Sequence, residues 1–312
     1  MSGSVFFFFV SFYKVFIGFI FAENMLFMRL ITTNDQLYSL LPNIMTVVKG
    51  ERQLIDKIVP FIDAAEKWLI DNIVSESVFN SISDRPDNNP AKVTMARIVA
   101  FDAFRQAIPH LDVILTPNGF GIVNNSNIAP ASKERVERLI NSLLDNRDNE
   151  IESLLTMLPK ETGWTESDQG RFFASTMFPN IDVTTRLPKV ACDRWEQYLT
   201  VRETLLVMEE FFARQYLSNP LIEVLRNEVQ TGAYRSPLHI HTANILRAVE
   251  VRCLKTPEPC SAMHFEHYYL TDLVNTIRNN PDDFAEWHTS KTAELYSPEI
   301  FLNKKCDKGY WF

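Results

Sequence analysis

Apolar residues recur at intervals of three and four along most of this chain, which is the spacing of helices with one buried face. The pattern is clearest in residues 52–73, 133–146, 195–217 and 263–277. Residues 91–108 are apolar on almost every side, so we expect this helix to be buried, and Pro109 is predicted to end it. Pro60 is predicted to kink or divide the helix in residues 52–73. The predicted fold class is mainly α.

A different pattern occupies residues 111–123, which read LDVILTPNGFGIV. Val113 and Leu115 lie two residues apart, as do Phe120 and Ile122, so the members of each pair share one face of a strand. Between them, Asn118-Gly119 tolerates the positive φ of a tight turn. We predict a β-hairpin whose interface residues are Leu111, Val113, Leu115, Phe120 and Ile122. Because a lone hairpin is only marginally stable, it either folds over the helical core or reaches a neighbouring subunit as an arm.

The length of 312 residues favours two domains. We place the boundary after residue 160, which gives a first helical domain, 28–160, with the hairpin inserted, and a second, 161–312, with an extended C-terminal tail. The halves resemble each other, since LPNI at 41–44 is matched by FPNI at 178–181. The long helix after each tetrapeptide carries a glutamate and an aromatic residue, Glu66 with Trp68 and Glu209 with Phe211. We interpret this as a degenerate duplication into two related helical bundles; the alternative is two helical domains that share a generic pattern.

Residues 1–27 are rich in phenylalanine and nearly all apolar between residues 5 and 22. A transmembrane anchor would have to tolerate Lys14 in the middle of a short span. A signal peptide would lack a basic residue before the apolar run, and Ile20 suits the cleavage site poorly. A misassigned start is the third interpretation, because Met25 and Met28 are available and the chain from Met28 reads like a soluble domain. We favour the misassigned start.

Charge and composition narrow the classes of function. The net charge of −8 argues against a nucleic-acid groove, because phosphate binding needs clustered lysine and arginine. The four cysteines include no C-x-x-C pair, which indicates reduced thiols in a cytoplasmic setting. No P-loop, G-x-G-x-x-G or G-x-S-x-G motif is present, so no cofactor is predicted.

Histidines and helical carboxylates are the remaining candidates for chemistry. His239 and His241 form one cluster and His264 and His267 another, but neither spacing matches a zinc pattern, even with Cys253 and Cys260 nearby. We predict surface or hydrogen-bonded histidines and no metal site. Glu66, Glu209 and Glu210 lie on helices among apolar residues, where they are either rim charges, partners in a helix-to-helix hydrogen bond or a buried catalytic pair. No catalytic residue is predicted.

The most specific strings are TPNGFGIV and APASKERVE within residues 116–137, together with PFIDAAEKWLIDNI at 60–73. They resemble an uncharacterised prophage-associated family of gut anaerobes, over nearly all of residues 28–312. More loosely, the order of helices resembles the head–tail connector (adaptor) proteins of tailed phages. The resemblance implies a structural virion protein that reaches its neighbours through a β-arm or an extended tail. A typical connector is much shorter, which a duplication would explain.

We therefore expect a non-enzymatic adaptor at the head–tail joint of a phage or prophage, located in the virion and, before assembly, in the bacterial cytoplasm. Its expected partners are portal or tail proteins, with a ring homo-oligomer in the assembled state, no sequence-specific nucleic acid, and membrane only if residues 1–27 are real. Further interface residues are expected in the tail: Phe301, Tyr310, Trp311 and Phe312. The alternatives are a helical bacterial enzyme that uses buried carboxylates or the histidine cluster, and a membrane-anchored or exported helical protein.

Overall fold

The computed structural model describes residues 30–41, 53–111, 113–116, 119–122, 132–190, 193–256 and 259–297, of which 113–116, 119–122 and 259–266 are described through their backbone. The protein is mainly helical over these ranges, so the predicted fold class is confirmed at that level. The elements in chain order are α1 (Asn34–Leu40), α2 (Leu54–Leu69), α3 (Glu76–Ser83), α4 (Pro90–Leu111), β1 (Val113–Thr116), β2 (Gly119–Ile122), α5 (Lys133–Met157), α6 (Asp168–Ala174), α7 (Arg194–Phe212), α8 (Asn219–Thr231), α9 (Pro237–Lys255), α10 (Pro259–Arg278), α11 (Ala285–His288) and α12 (Lys291–Glu294). Short 3-10 helices occupy Leu158–Lys160 and Ile181–Arg186, and π-helical turns, Ile70–Val74 and Ala213–Leu217, extend α2 and α7.

Helix α4 organises the first half, where it packs against both α2 and α5. Its buried residues include Met95, Ala100 and Phe101, which lie on different sides of the helix, as its apolar sequence predicted. The buried apolar side chains of both halves form one continuous cluster. The two halves therefore share a core, and the division into two domains stays a prediction.

Helix α2 continues through Pro60, which excludes the alternative that this proline divides the helix. One prediction is wrong, because α4 continues past Pro109 to Leu111. A proline in the last turn removes one internal hydrogen bond, so the helix can run two residues further before it ends. The periodic stretch at 133–146 is part of one longer helix, α5, which reaches Met157.

Strands β1 and β2 form a two-stranded antiparallel sheet in which Val113 pairs with Ile122 and Leu115 with Phe120. Residues two apart on a strand, and residues directly opposite each other, share a face of the sheet. The register therefore places these four residues on one face of the ribbon. The predicted hairpin began at Leu111, but this residue is the last of α4, so that boundary is wrong.

Candidate functional site

The predicted interface residues fall into three groups. Leu111 is half-buried and packs against the core. Val113, Leu115, Phe120 and Ile122 occupy one face of the β1–β2 ribbon, as its register requires. Residues 1–27 and the predicted tail residues Phe301, Tyr310, Trp311 and Phe312 lie outside the described residues. Among the helices that are described, none is both long and apolar enough to cross a membrane.

His264 lies in the part of α10 that is described only through its backbone, and the other three predicted histidines have different surroundings. His239 is fully buried, with Nδ1 2.8 Å from the Glu228 carboxylate and Nε2 2.8 Å from the carbonyl of Asp283. Because a carbonyl oxygen only accepts, Nε2–H donates to Asp283, while Nδ1 shares a hydrogen bond with Glu228, so the ring ties α9 to α8 and to the segment before α11. His241 is exposed, and His267 lies 2.8 Å from the Tyr216 hydroxyl. Within the described ranges, no three His, Cys, Asp or Glu side chains are grouped so that they could hold a metal ion.

Two of the predicted carboxylates, Glu66 and Glu209, hold the main chain, and we call them the anchor glutamates. Glu66 on α2 has no exposed surface, and its Oε1 accepts a hydrogen bond from the backbone N–H of Leu30 at 2.7 Å. Glu209 on α7 is equally buried, and its Oε1 accepts from the N–H of Met177 at 2.7 Å. Each anchor glutamate therefore holds the segment that enters its half, and Glu209 also accepts a hydrogen bond from Arg226 of α8 through its Oε2. Glu210 is exposed and pairs with Arg214.

The helix is interrupted in the same way after each anchor glutamate. The π turns begin four residues further on, at Ile70 and at Ala213. Each turn is followed by a serine with positive φ, 74° at Ser75 and 85° at Ser218, with ψ of 151° and 147°. Residues other than glycine rarely adopt this backbone region, so it is strained at both serines. Both serines lie nine residues after their anchor glutamate.

A buried tryptophan completes each π turn. Trp164 Nε1–H donates to the carbonyl of Ile73 at 2.8 Å, and Trp287 Nε1–H donates to the carbonyl of Tyr216 at 2.7 Å. Both carbonyls lie seven residues after the anchor glutamate. A π turn changes which carbonyls receive a backbone N–H, and buried carbonyls need a donor. The tryptophan side chains provide that donor.

The residues after each tryptophan repeat as well. Ser167 and Ser290, three residues further on, accept a hydrogen bond from the first turn of α6 and of α12. Gln169 and Thr292, five residues further on, donate to the carbonyls that open the two π turns. Two stretches of different sequence, WTESDQ and WHTSKT, therefore make the same set of contacts.

The tetrapeptide match of the sequence analysis does not coincide with the repeated contacts. It matched LPNI at 41–44 with FPNI at 178–181, but the structure gives Leu30 the contact that Met177 makes. Leu41 instead caps the C-terminus of α1. The likeness between Leu30 and Met177 has no side-chain signature, because both contacts are made by backbone N–H groups. The tryptophans were also missed, although the W-x-x-S pattern at 164–167 and 287–290 was a usable signal.

A model of a family of unknown function (DUF6712) matches residues 48–174. This segment is less than half of the chain and runs from before α2 to the end of α6. It includes Glu66, Ser75 and Trp164, which form the first set of contacts. No curated protein and no solved structure matches the chain.

The second half carries a carboxyl group beside its anchor glutamate. Glu250 on α9 has no exposed surface, and burial together with the charge of Glu209 raises its pKa well above the ordinary value. Burial also raises the pKa of Glu209, although Arg226 opposes this with its Nε 2.7 Å from the Glu209 Oε2. The pair therefore holds a proton up to a higher pH than an isolated glutamate would. Because neither side chain has exposed surface, a substrate cannot reach them in this conformation.

The first half places an acid at the same position but gives it a different partner. The buried residues of α9 repeat those of α4 148 positions earlier, as with Thr94 and Thr242, so that Asp102 corresponds to Glu250. Asp102 Oδ1 lies 3.1 Å from Nη1 of the buried Arg147. This acid is therefore compensated by a cation, whereas Glu250 lies beside another acid.

Arg147 joins the two halves. Its guanidinium contacts Asp102, Asp148 at 2.8 Å and Asp193 at 3.0 Å, and it lies 5.4 Å from the Trp68 ring. Burial lowers the pKa of Arg147, but the charges of the three aspartates outweigh burial and raise it. Asp193 also accepts from the N–H of Glu196 and so caps α7. The cluster fixes the start of α7 against α4 and α5.

A cleft of about 490 Å³ lies beside this cluster and is lined by Thr184, Lys189, Asp193, Arg194 and Gln197, among others. Two of its charged groups already have partners, because Asp193 pairs with Arg147 and Arg194 pairs with Glu152. These two ion pairs therefore connect the start of α7 to α5.

Proposed function

We propose that the protein is a non-catalytic structural component of a tailed phage or prophage, acting as a head–tail adaptor through protein–protein contacts. In this role, portal or tail proteins are its partners and several copies form a ring. The resemblance of residues 116–137 to a prophage-associated family motivates the proposal. The structural use of Glu66, Glu209 and His239, each buried and hydrogen-bonded within the chain, agrees with it.

The same proposal includes two copies of one helical unit, a first unit of residues 30–174 and a second unit of residues 177–296. The repeated contacts of anchor glutamate, π turn, positive-φ serine and tryptophan support it. The family match that ends at residue 174 agrees with it. The boundary then falls near residue 175 and not after residue 160, because Trp164 completes the π turn of the first unit.

The β1–β2 ribbon is the observation that carries the adaptor role. No third strand pairs with it among the described residues, so each strand has one edge without a partner in the sheet. A two-stranded sheet is only marginally stable by itself. An arm that adds a strand to a neighbouring protein, or packs its apolar face against one, gains both hydrogen bonds and burial.

The test is a double variant, Phe120→Asp with Ile122→Asp, introduced into the gene of a particle-producing strain. We expect intact tailed particles to be lost while the purified variant keeps its helix content in circular dichroism. The matched control is Leu139→Asp, at an exposed apolar position of α5 (45% exposed), which should leave assembly unchanged. Normal particles with the double variant would refute the arm, and so would a loss of helix content, which would identify these residues as core.

A further inference from the structure

The first unit uses one of its faces to receive the second unit. Arg202 in the middle of α7 lies 3.8 Å above the ring of Phe172, and Tyr198 packs edge-on against the same ring. Trp195, also on α7, packs edge-on against Trp68 at 5.4 Å between ring centroids. Phe172 and Trp68 of the first unit are therefore covered by the helix that opens the second.

The second unit carries a corresponding face that is more exposed. Counting from the anchor glutamates, Phe211 corresponds to Trp68, and counting from the tryptophans, Leu295 corresponds to Phe172. Leu295 is 64% exposed and Phe211 38% exposed, and Val207, one turn before Phe211, is 69% exposed. In the first unit the equivalents Trp68 and Phe172 are half-buried under α7, so Phe211 and Leu295 are the more exposed members of each pair. Val207 takes the place of the exposed Ala64 and enlarges the apolar surface beside them. We call Val207, Phe211 and Leu295 the open face.

We infer that a second copy of this chain covers the open face, docking its first unit there as the second unit docks on the first within one chain. One chain already contains an interface of this kind between its own two units, and the proposed contact continues it from one copy to the next. In the docked pair, α2 of the incoming copy takes the place of α7. Arg202 corresponds to the half-buried Val59 of α2, so Val59 of one copy would meet Leu295 of another.

Charges at the edge of this contact favour the same partner. Within the chain, Asp71, Asp168 and Leu199 line one cleft between the two units. The corresponding residues are Arg214 and Lys291 on the second unit and Asp56 on α2, all exposed. In a contact between copies, Asp56 of one copy would therefore face Arg214 and Lys291 of the other. At the equivalent place within one chain, Leu199 faces Asp71 and Asp168. Such complementary charges select one partner face over others.

This docking is heterologous, because the face used on one copy differs from the face used on the next. Heterologous contacts produce rings when the rotation closes and filaments when it does not. The inference rests on the self-assembly part of the proposed function and names the partner as another copy of this chain. It does not depend on the chain being located in a virion.

Site-specific cross-linking tests the inference. In the full chain with Cys192, Cys253, Cys260 and Cys306 replaced by serine, one protein carries Leu295→Cys and another carries Val59→Cys. The two are mixed and treated with a flexible bis-maleimide. We expect a covalent heterodimer, and we expect the added change Phe211→Asp in the first protein to lower its yield by about tenfold, equivalent to about 1.4 kcal/mol.

Two controls define the outcome. A chain with Phe172→Cys and Arg202→Cys should cross-link within itself, since those side chains touch in the structure. Leu139→Cys in place of Leu295→Cys should give only background, because Leu139 is exposed on α5 and outside the open face. A heterodimer yield equal to this background, or a dominant Leu295→Cys homodimer, would overturn the inference. Either result would leave the adaptor role to be judged by the composition of purified particles.

Discussion

Replacing the buried Glu250 by glutamine should stabilise the protein at neutral pH. In the folded chain this carboxyl lies beside Glu209 without exposed surface, which raises its pKa well above the ordinary value of 4.5. The folded state therefore keeps a proton that the unfolded state releases above pH 4.5. Stability from this group is complete below pH 4.5 and is lost as the pH rises toward the folded-state pKa. Glutamine cannot ionise, and its amide can still donate to Glu209.

The size of the effect follows from proton linkage. One proton held by the folded state alone lowers the free energy of unfolding by about 1.4 kcal/mol for each pH unit above 4.5. As long as the folded state keeps that proton, the total at pH 7 is about 3 kcal/mol. We therefore expect Glu250→Gln to match the wild type near pH 4 and to exceed it in stability by up to about 3 kcal/mol at pH 7.

The assay is urea unfolding followed by tryptophan fluorescence at several pH values between 4 and 8, with the free energy taken by linear extrapolation. Asp102→Asn is the matched control, since Asp102 occupies the same position on α4 but pairs with Arg147. This change removes one of the three carboxylates around the buried Arg147 and should lower the free energy of unfolding by about 2 kcal/mol at neutral pH. Parallel pH profiles for wild type and Glu250→Gln, or a loss of stability at pH 7, would refute the reasoning.

Two further predictions concern the π turns, both measured by urea unfolding. Ser75→Gly should stabilise by about 1 kcal/mol, because glycine accepts the positive φ without strain and the buried Ser75 hydroxyl has no hydrogen-bond partner. Ser218→Gly should gain less, since its hydroxyl accepts from the Leu221 N–H and caps α8, so equal gains would contradict this account. Trp164→Phe and Trp287→Phe should each cost about 1–3 kcal/mol by leaving a π-turn carbonyl unpaired; a cost confined to one of them would show that the two turns are not equivalent.

Much of the helical fold was predictable from the sequence because burial sets the spacing of apolar residues. The long helix predicted at 195–217 is α7 with its π turn, and the apolar stretch 91–108 is the buried α4. The two strands were predictable because apolar residues alternate on both sides of Asn118-Gly119, a pair of residues that favours a tight turn. Each of these features is local, so neighbouring residues were enough to indicate it.

The rest depended on contacts between distant residues. Glu66 and Glu209 were singled out as carboxylates among apolar neighbours, but their partners are backbone N–H groups that any residue could provide. A π turn adds one residue to a helical turn and shifts the phase of the residues that follow, but here each π turn is the last turn of its helix, so no later apolar residue reveals the shift. His239 was considered for metal binding, whereas its actual partner Glu228 lies on the preceding helix and carries no motif.

Peptide mass spectrometry of particles from an induced producer culture, purified on a density gradient, tests the adaptor role most directly. We predict that this protein co-purifies with capsid and portal proteins, in a fixed ratio to the portal. The most N-terminal peptide recovered in the same experiment would test the start predicted near Met28. A protein abundant in the cell lysate and absent from the particles would contradict the account.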